Sequence, residues 1–249
     1  GIGLVATEKS FRGQGVATTI CRGAVADFKK EGGQCLFLVA DKPGPRRIYH
    51  RLGWRKQGGT DVMSLITSGD SPEEFLTDYF RVGGQTTIHP GSPRDRVPMM
   101  PLHVTPHDWQ VLDANVGEFS TRYWSGQMCN TVYPAYEQLA SAGKGLWFSA
   151  YSDTNRLVGL SSALMTSSEE CRIDGFTHHR YLDVWADLIQ TATEWGTNNN
   201  ASLITTRISI EDEHKRELFY SLGFRERGKG QDFQINERTL NSIIMGKEA

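Results

Sequence analysis

Arg12-Gly13-Gln14-Gly15-Val16-Ala17, together with the apolar stretch Ile2-Gly3-Leu4-Val5-Ala6 before it, is the segment whose reading decides the fold. The apolar stretch reads as a strand. After the loop, Ala17, Ile20, Cys21, Ala24, Val25 and Phe28 recur at the i, i+3, i+4 spacing of a helix. A strand, a loop with two glycines and a helix start together form a site for an anion. The helix N-terminus carries free N–H groups and partial positive charge, and glycine lets a phosphate approach the backbone. Arg12 adds a fixed cation. A glycine pair at such a turn can also be plain turn chemistry, and the loop lacks the Gly-Lys-Ser/Thr ending of a P-loop.

A second stretch gives the first its meaning. Gly33-Gln34-Cys35-Leu36-Phe37-Leu38-Val39-Ala40 reads as a buried, parallel-type strand. Asp41-Lys42-Pro43-Gly44-Pro45 turns the chain, with proline placed to open a helix. Arg46 to Leu52 is then a short helix closed by Gly53 and followed by Trp54.

Arg-x-x-Gly-x-Ala, followed by a strand, a short helix and Tyr-x-x-x-Gly-Trp, resembles the GNAT superfamily of N-acetyltransferases. The resemblance implies an α/β (α+β) fold, a twisted mixed β-sheet flanked by helices. It implies acetyl-CoA as co-substrate, with Arg12, Gly13, Gln14, Gly15, Val16, Ala17 and Thr18 around the pyrophosphate. Val5, Ala6 and Thr7 would run beside the pantetheine arm, where an N–H polarises the thioester carbonyl. Tyr49 would be the general acid to the leaving thiolate, although a tyrosine packed on the sheet is a plain alternative. Lys42 stands where many relatives have an asparagine that touches the cofactor. Phe37 stands where some carry a glutamate base, so the base is missing from that place. Glu8 and His50 lie nearby in sequence, and neither is assigned the role.

The length, with 38% hydrophobic and 22% charged residues, suits a soluble chain of one or two domains. No apolar run reaches membrane-helix length and no signal peptide is visible. The chain begins at Gly1 in what reads as the middle of a domain, which suggests a fragment or processed product. Cys21, Cys35, Cys129 and Cys171 form no C-x-x-C pair, and a reducing cytoplasmic setting is the natural inference. Residues 1–66 hold 11 basic and 5 acidic residues, a balance of +6, against −8 for the remainder. A basic first segment suits a polyanion such as coenzyme A. Nucleic acid is not supported, because no stacking platform or zinc pattern accompanies the charge. His178-His179 have no third ligand spaced to join them, and His103 and His107 lack partners, so no metal is expected.

The expected organisation is residues 1–66, the C-terminal half of one domain carrying the acetyl-CoA motifs; 67–96, a helix and connector; and 97–249, a second domain. Residues 56–66 read as a closing pair of strands around Gly58-Gly59. Ser71-Pro72-Glu73-Glu74 reads as a helix start running to about Arg81. Residues 85–101 read as a connector with one short strand. Leu102-His103-Val104 reads as a strand, Thr105 to Trp109 as a helix opening and Tyr133 to Leu139 as helix. Leu146–Tyr151 and Arg156–Leu164 read as a hairpin.

Aligning Asp27-Phe28 with Glu194-Trp195, and Leu52-Gly53-Trp54 with Leu222-Gly223-Phe224, indicates an internal repeat. In the second copy the loop becomes Arg180-Tyr181-Leu182-Asp183-Val184-Trp185, and Tyr49 becomes Phe219. An aspartate there repels a pyrophosphate, a tryptophan fills the close-approach position, and phenylalanine has no proton to give. Tyr220 is one position off and points elsewhere. The function expected is acyl-CoA-dependent N-acyl transfer to a small-molecule or peptide amine. A non-catalytic CoA-binding or protein-interaction module is the alternative. Neither nucleic acid nor membrane is an expected partner, and homodimerisation is left open.

Overall fold

The computed structural model describes residues 5–57, 60–67, 69–123, 129–235 and 237–249, and the chain divides into two compact units, Gly1–Tyr79 and Phe80–Ala249. The first unit contains α1 (Val16–Lys30), β1 (Cys35–Val39), α2 (Pro43–Arg51), β2 (Arg55–Lys56), β3 (Val62–Ile66) and α3 (Pro72–Tyr79). Its sheet has the order β1-β3-β2. β1 pairs antiparallel with β3, so among the described residues it has no parallel neighbour of the kind its apolar run suggested. The reason is compositional: Leu36, Phe37 and Leu38 are buried on both faces whichever direction the neighbour runs.

The core of this unit collects Leu36, Leu38 and Ala40 from β1, Tyr49 from α2, Trp54 after it, Met63 and Leu65 from β3, and Cys21 from α1. Alternate residues of one strand face the same side, which is why 36, 38 and 40 act together. Arg46 ties α2 down: its guanidinium donates to Ala40 O (3.0 Å) and pairs with Asp61 (2.8 Å). On α1, only Cys21 is buried; Val25 and Phe28 are half-buried against the core, while Ile20 and Ala24, expected on the inner face, are exposed.

The second unit contains β4 (Thr87–Pro90), α4 (Met99–Val104), β5 (Val111–Asp113), β6 (Glu118–Phe119), α5 (Cys129–Ser141), β7 (Gly145–Tyr151), β8 (Leu157–Met165) and β9 (Glu170–Thr177). It continues with α6 (Asp183–Asn198), β10 (Leu203–Ser209), α7 (Glu213–Ser221), β11 (Arg225–Lys229), β12 (Phe233–Ile235), β13 (Arg238–Leu240) and β14 (Ser242–Glu248). Seven strands form one mixed sheet in the order β11-β14-β10-β9-β8-β7-β4, with β9 and β10 parallel and its other neighbours antiparallel. α6 packs along β7 to β10 through Val184, Trp185, Leu188, Ile189 and Ala192, an apolar stripe of helical period.

Several boundaries differ from the sequence reading. The connector at 67–96 is divided: α3 belongs to the first unit and ends at Tyr79, and β4 is an edge strand paired with β7. Leu102-His103-Val104 lie in helix α4, not a strand. All six residues of α4 are buried, and a short apolar run buried all round has no periodicity to separate helix from strand. Thr105–Trp109 open no helix; Thr105 instead caps α4 by donating to Pro101 O. The hairpin β7–β8, α5 and the closing pair β2–β3 stand near their expected places, while Gly58-Gly59 lie outside the described residues.

Buried polar groups lock the second unit. Asp95 accepts from Trp147 Nε1 (3.0 Å), Ser149 Oγ (2.7 Å) and Tyr151 Oη (2.6 Å), three side chains at the two-residue period of β7. His107 is buried against Phe176 and Trp109, and burial lowers its pKa to about 4. The unfolded chain takes up that proton near pH 6.5, so stability from neutral His107 is present above pH 6.5 and is lost towards pH 4, by about 3 kcal/mol. His107→Gln keeps an amide donor for Leu102 O. It is expected to reduce acid destabilisation between pH 6.5 and 4 in thermal melts of the whole chain; an unchanged pH slope contradicts this role.

Candidate functional site

The Arg12–Ala17 segment forms a tight, solvent-facing bend. Lys9–Phe11 make one 3-10 turn, four residues turn the chain, and α1 starts at Val16. Gly13 and Gly15 have φ of +79° and +78°, in the left-handed region that glycine adopts without steric cost. Apart from chain neighbours, no atom of the described residues lies within 4 Å of where a Cβ would stand at either, which leaves room for a ligand at the backbone. Thr19 N–H is the first to bond back, to Gly15 O (3.0 Å). The amides of Val16, Ala17 and Thr18 are therefore the free donors of the helix N-terminus. Arg12 donates from Nε to Thr7 O (3.1 Å), and Gln14 donates to Ser10 O (3.1 Å), which shapes the bend from within.

Of the expected strand before the loop, Ile2–Leu4 lie outside the described residues, and Val5, Ala6 and Thr7 are not in a strand. Lys42 is exposed at the N-cap of α2, its carbonyl accepting from Arg46 N–H (3.1 Å).

Tyr49 points inward from α2. Its ring meets Trp54 edge-on at 5.8 Å and shares a core cluster with Cys21 of α1. Cys21 lies four residues after Ala17, on the same face one turn down. The fold thus brings Tyr49 to the helix whose N-terminus carries the glycine loop, a link through Cys21 that sequence spacing did not reveal. Burial, reinforced by the thiol, raises the pKa of Tyr49, so it holds its proton at neutral pH. Phe37, where a base was sought, is buried in β1.

The corresponding region of the second unit has the same frame and different chemistry. α2 and α7 both end in Leu-Gly-aromatic: Gly53 and Gly223 have φ of +91° and +89°, and Trp54 and Phe224 are fully buried. Trp54 N–H donates to Tyr49 O (3.1 Å) and Phe224 N–H to Phe219 O (3.0 Å), and Phe219 meets Phe224 edge-on at 5.0 Å. Phe219 is buried where Tyr49 is, and Tyr220 is exposed. At the start of α6 there is no left-handed glycine. The 3-10 turn His179–Tyr181 is followed by Leu182 alone, and Trp185 is buried with Nε1 donating to Gly175 O (3.0 Å). His178 caps that turn through Nδ1, and His103 is buried in contact with Glu118. Among the described residues no group of three could hold a metal ion.

No protein-family model and no curated protein sequence matches the chain. Solved structures do. A chimera of the Vibrio cholerae spermidine N-acetyltransferase SpeG and hSSAT superposes with TM-score 0.53 at 16% identity, covering 66% of this chain and 96% of that one. The V. cholerae spermidine N-acetyltransferase in complex with CoA and spermine gives 0.50 at 17%, covering 66% and 95%. The ribosomal-protein-S5-alanine acetyltransferase of Vibrio fischeri gives 0.50 at 13%, covering 67% and 94%. A match of that extent exceeds the 79 residues of the first unit, so it draws on the seven-stranded sheet. The chain has the GNAT fold.

The glycine loop carries its own test. Gly15→Ala puts a Cβ into left-handed backbone at a cost of about 1–2 kcal/mol. Gly23→Ala, in the exposed middle of α1, is expected to stabilise by about 0.5–1 kcal/mol. Urea denaturation of the two variants should move in opposite directions; equal shifts contradict the loop geometry.

Proposed function

We propose that this chain is an acyl-CoA-dependent N-acyltransferase of tandem architecture, with acetyl-CoA bound at the first unit and the second unit a degenerate copy. The observation that carries it is the pairing of an open, double-glycine helix start with a buried, protonated tyrosine on the adjoining helix. Shared helix ends at Leu52-Gly53-Trp54 and Leu222-Gly223-Phe224 support the tandem reading, and free thiols at Cys21, Cys35 and Cys171 support a reducing, cytoplasmic setting.

In this reading the amides of Gly13 to Thr18 and the Arg12 guanidinium hold the pyrophosphate, and Val5, Ala6, Thr7 and Lys42 line the arm. An acceptor amine, deprotonated first, attacks the thioester carbon. The C–N bond forms, the C–S bond breaks, Tyr49 gives its hydroxyl proton to the departing thiolate, and the nitrogen's surplus proton leaves to solvent, from which the tyrosinate is reprotonated. The polyamine in one solved neighbour and the protein alanine in the name of another are both amines, and a small-molecule or peptide amine is the acceptor class proposed here. No metal enters this chemistry. Phe37 in place of a carboxylate base favours the second reading, a CoA-binding or protein-interaction module without turnover.

Titration calorimetry with acetyl-CoA on the parent chain, Gly15→Asp and Tyr49→Phe tests this. The parent is expected to bind, Gly15→Asp to lose binding at least tenfold, and Tyr49→Phe to keep its Kd within about twofold. In an amine screen, Tyr49→Phe should lower kcat by about 100-fold or more, the usual worth of a positioned acid. Binding without turnover on any amine selects the second reading; undiminished binding by Gly15→Asp removes the assigned site.

A further inference from the structure

β9 and β10 are parallel neighbours joined through α6, and they separate early. They pair only at Leu203↔Glu170, Ile204↔Cys171 and Thr205↔Arg172, after which β9 runs on to Thr177 and β10 to Ser209 without pairing to each other. In α/β sheets the carboxyl ends of parallel strands, beside the N-terminus of the connecting helix, are where ligands enter. Here that gap is occupied by the chain itself.

Residues Trp109 to Ala114 run across it. Trp109 packs against Trp185 in the first turn of α6, the rings tilted by 32° with centroids 4.6 Å apart. On the β10 side, Gln110 and Val111 donate their N–H groups to the two oxygens of Asp212 (2.5 and 3.0 Å), and Ser209 Oγ donates to Gln110 Oε1 (3.1 Å). On the β9 side, Ala114 N–H donates to Asp174 Oδ2 (2.7 Å). Lys215 of α7 bridges the two: its Nζ lies 2.6 Å from Asp174 Oδ1 and donates to the carbonyls of Val111 (2.9 Å) and Leu112 (3.0 Å). Asp174 and Lys215 are wholly buried.

This is an uncommon way to satisfy a strand. Among the described residues β5 pairs only with the two-residue β6, and the Val111 N–H and the carbonyls of Val111 and Leu112 are met by side chains, as those of a bound extended ligand would be. Asp212 stands at the N-cap of α7, the position Lys42 holds at α2. The arrangement is therefore a ligand-holding frame closed on a segment of its own chain.

We propose that Trp109–Ala114 is a resident strap in the ligand gap of the second unit, which accordingly takes no acyl-CoA. That the chain loads CoA at the first unit alone rests additionally on the function proposed above.

Hydrogen–deuterium exchange of the full chain, with and without coenzyme A, tests both statements separately. The amides of Gln110, Val111 and Ala114 are expected to exchange at least a hundredfold slower than unstructured amides and to be unmoved by coenzyme A. Fast exchange in the free chain, or a change there on adding coenzyme A, overturns the strap. Slowed exchange at Gly13–Thr18 supports the first-unit site; a protected, unresponsive strap with no change at Gly13–Thr18 keeps the strap and removes that site. Asp212→Ala is expected to speed exchange at Gln110 and Val111 at least tenfold while β8 stays protected, and an unchanged rate there contradicts the latch. Should that variant fail to fold, the unsubstituted chain still decides.

Discussion

The buried contact between Lys215 and Asp174 is the constraint on which the second unit depends. Two parallel strands that diverge leave a wedge with unpaired backbone on both sides, and such groups cannot be buried without partners. Residues 110–114 cross that wedge, and Lys215, Asp174 and Asp212 meet the backbone of this crossing segment at Gln110, Val111, Leu112 and Ala114. A charge pair taken out of water gains little net energy unless its remaining hydrogen bonds are also made. Here they are made: the ammonium reaches two carbonyls besides the carboxylate, and the carboxylate accepts from Ala114. Burial still pushes the Asp174 carboxyl up to about 6, the mark of how much solvation it has given up.

The two units show what one frame does under different demands. α2 and α7 each end in a left-handed glycine followed by a buried aromatic that meets a ring of the same helix edge-on, because that turn sets how helix and strand meet. Above that turn they part. α6 buries seven residues, including Trp185, whereas α1 buries one and opens on two glycines. A helix N-terminus can offer its amides to a ligand only if nothing else fills the space. Among the described residues nothing but chain neighbours lies within 4 Å of a Cβ at Gly13 or Gly15, whereas in the second unit the indole of Trp109 packs on that of Trp185.

Much of this was legible in the chain. The helix after the glycine loop, proline at the start of α2, the Leu-Gly-aromatic turns and the β7–β8 hairpin are local properties, and they appeared where local chemistry put them. Leu102-His103-Val104 was misread because a short run buried on every side carries no period. Ile20 and Ala24 share the apolar period of α1 yet are exposed, because a helical pattern says which residues share a face, not whether anything covers it. The strap was invisible for a different reason: Gln110 and Asp212, or Ala114 and Asp174, are far apart in sequence, and nothing in either stretch names the other.

By itself the sequence determined the class of fold and the left-handed glycine bend, and it set Asp183 and Phe219 at the positions that align with Gly15 and Tyr49. These depend on residue type at short range: a left-handed bend, a hydroxyl or its absence, a charge of one sign. Only the tertiary structure decided that Tyr49 meets α1 through Cys21, and that Lys215, Asp174 and Asp212 close the second unit's gap on Trp109–Ala114. Those are meetings of groups from distant elements, and their energy comes from desolvation and pairing that exist only once the chain has folded.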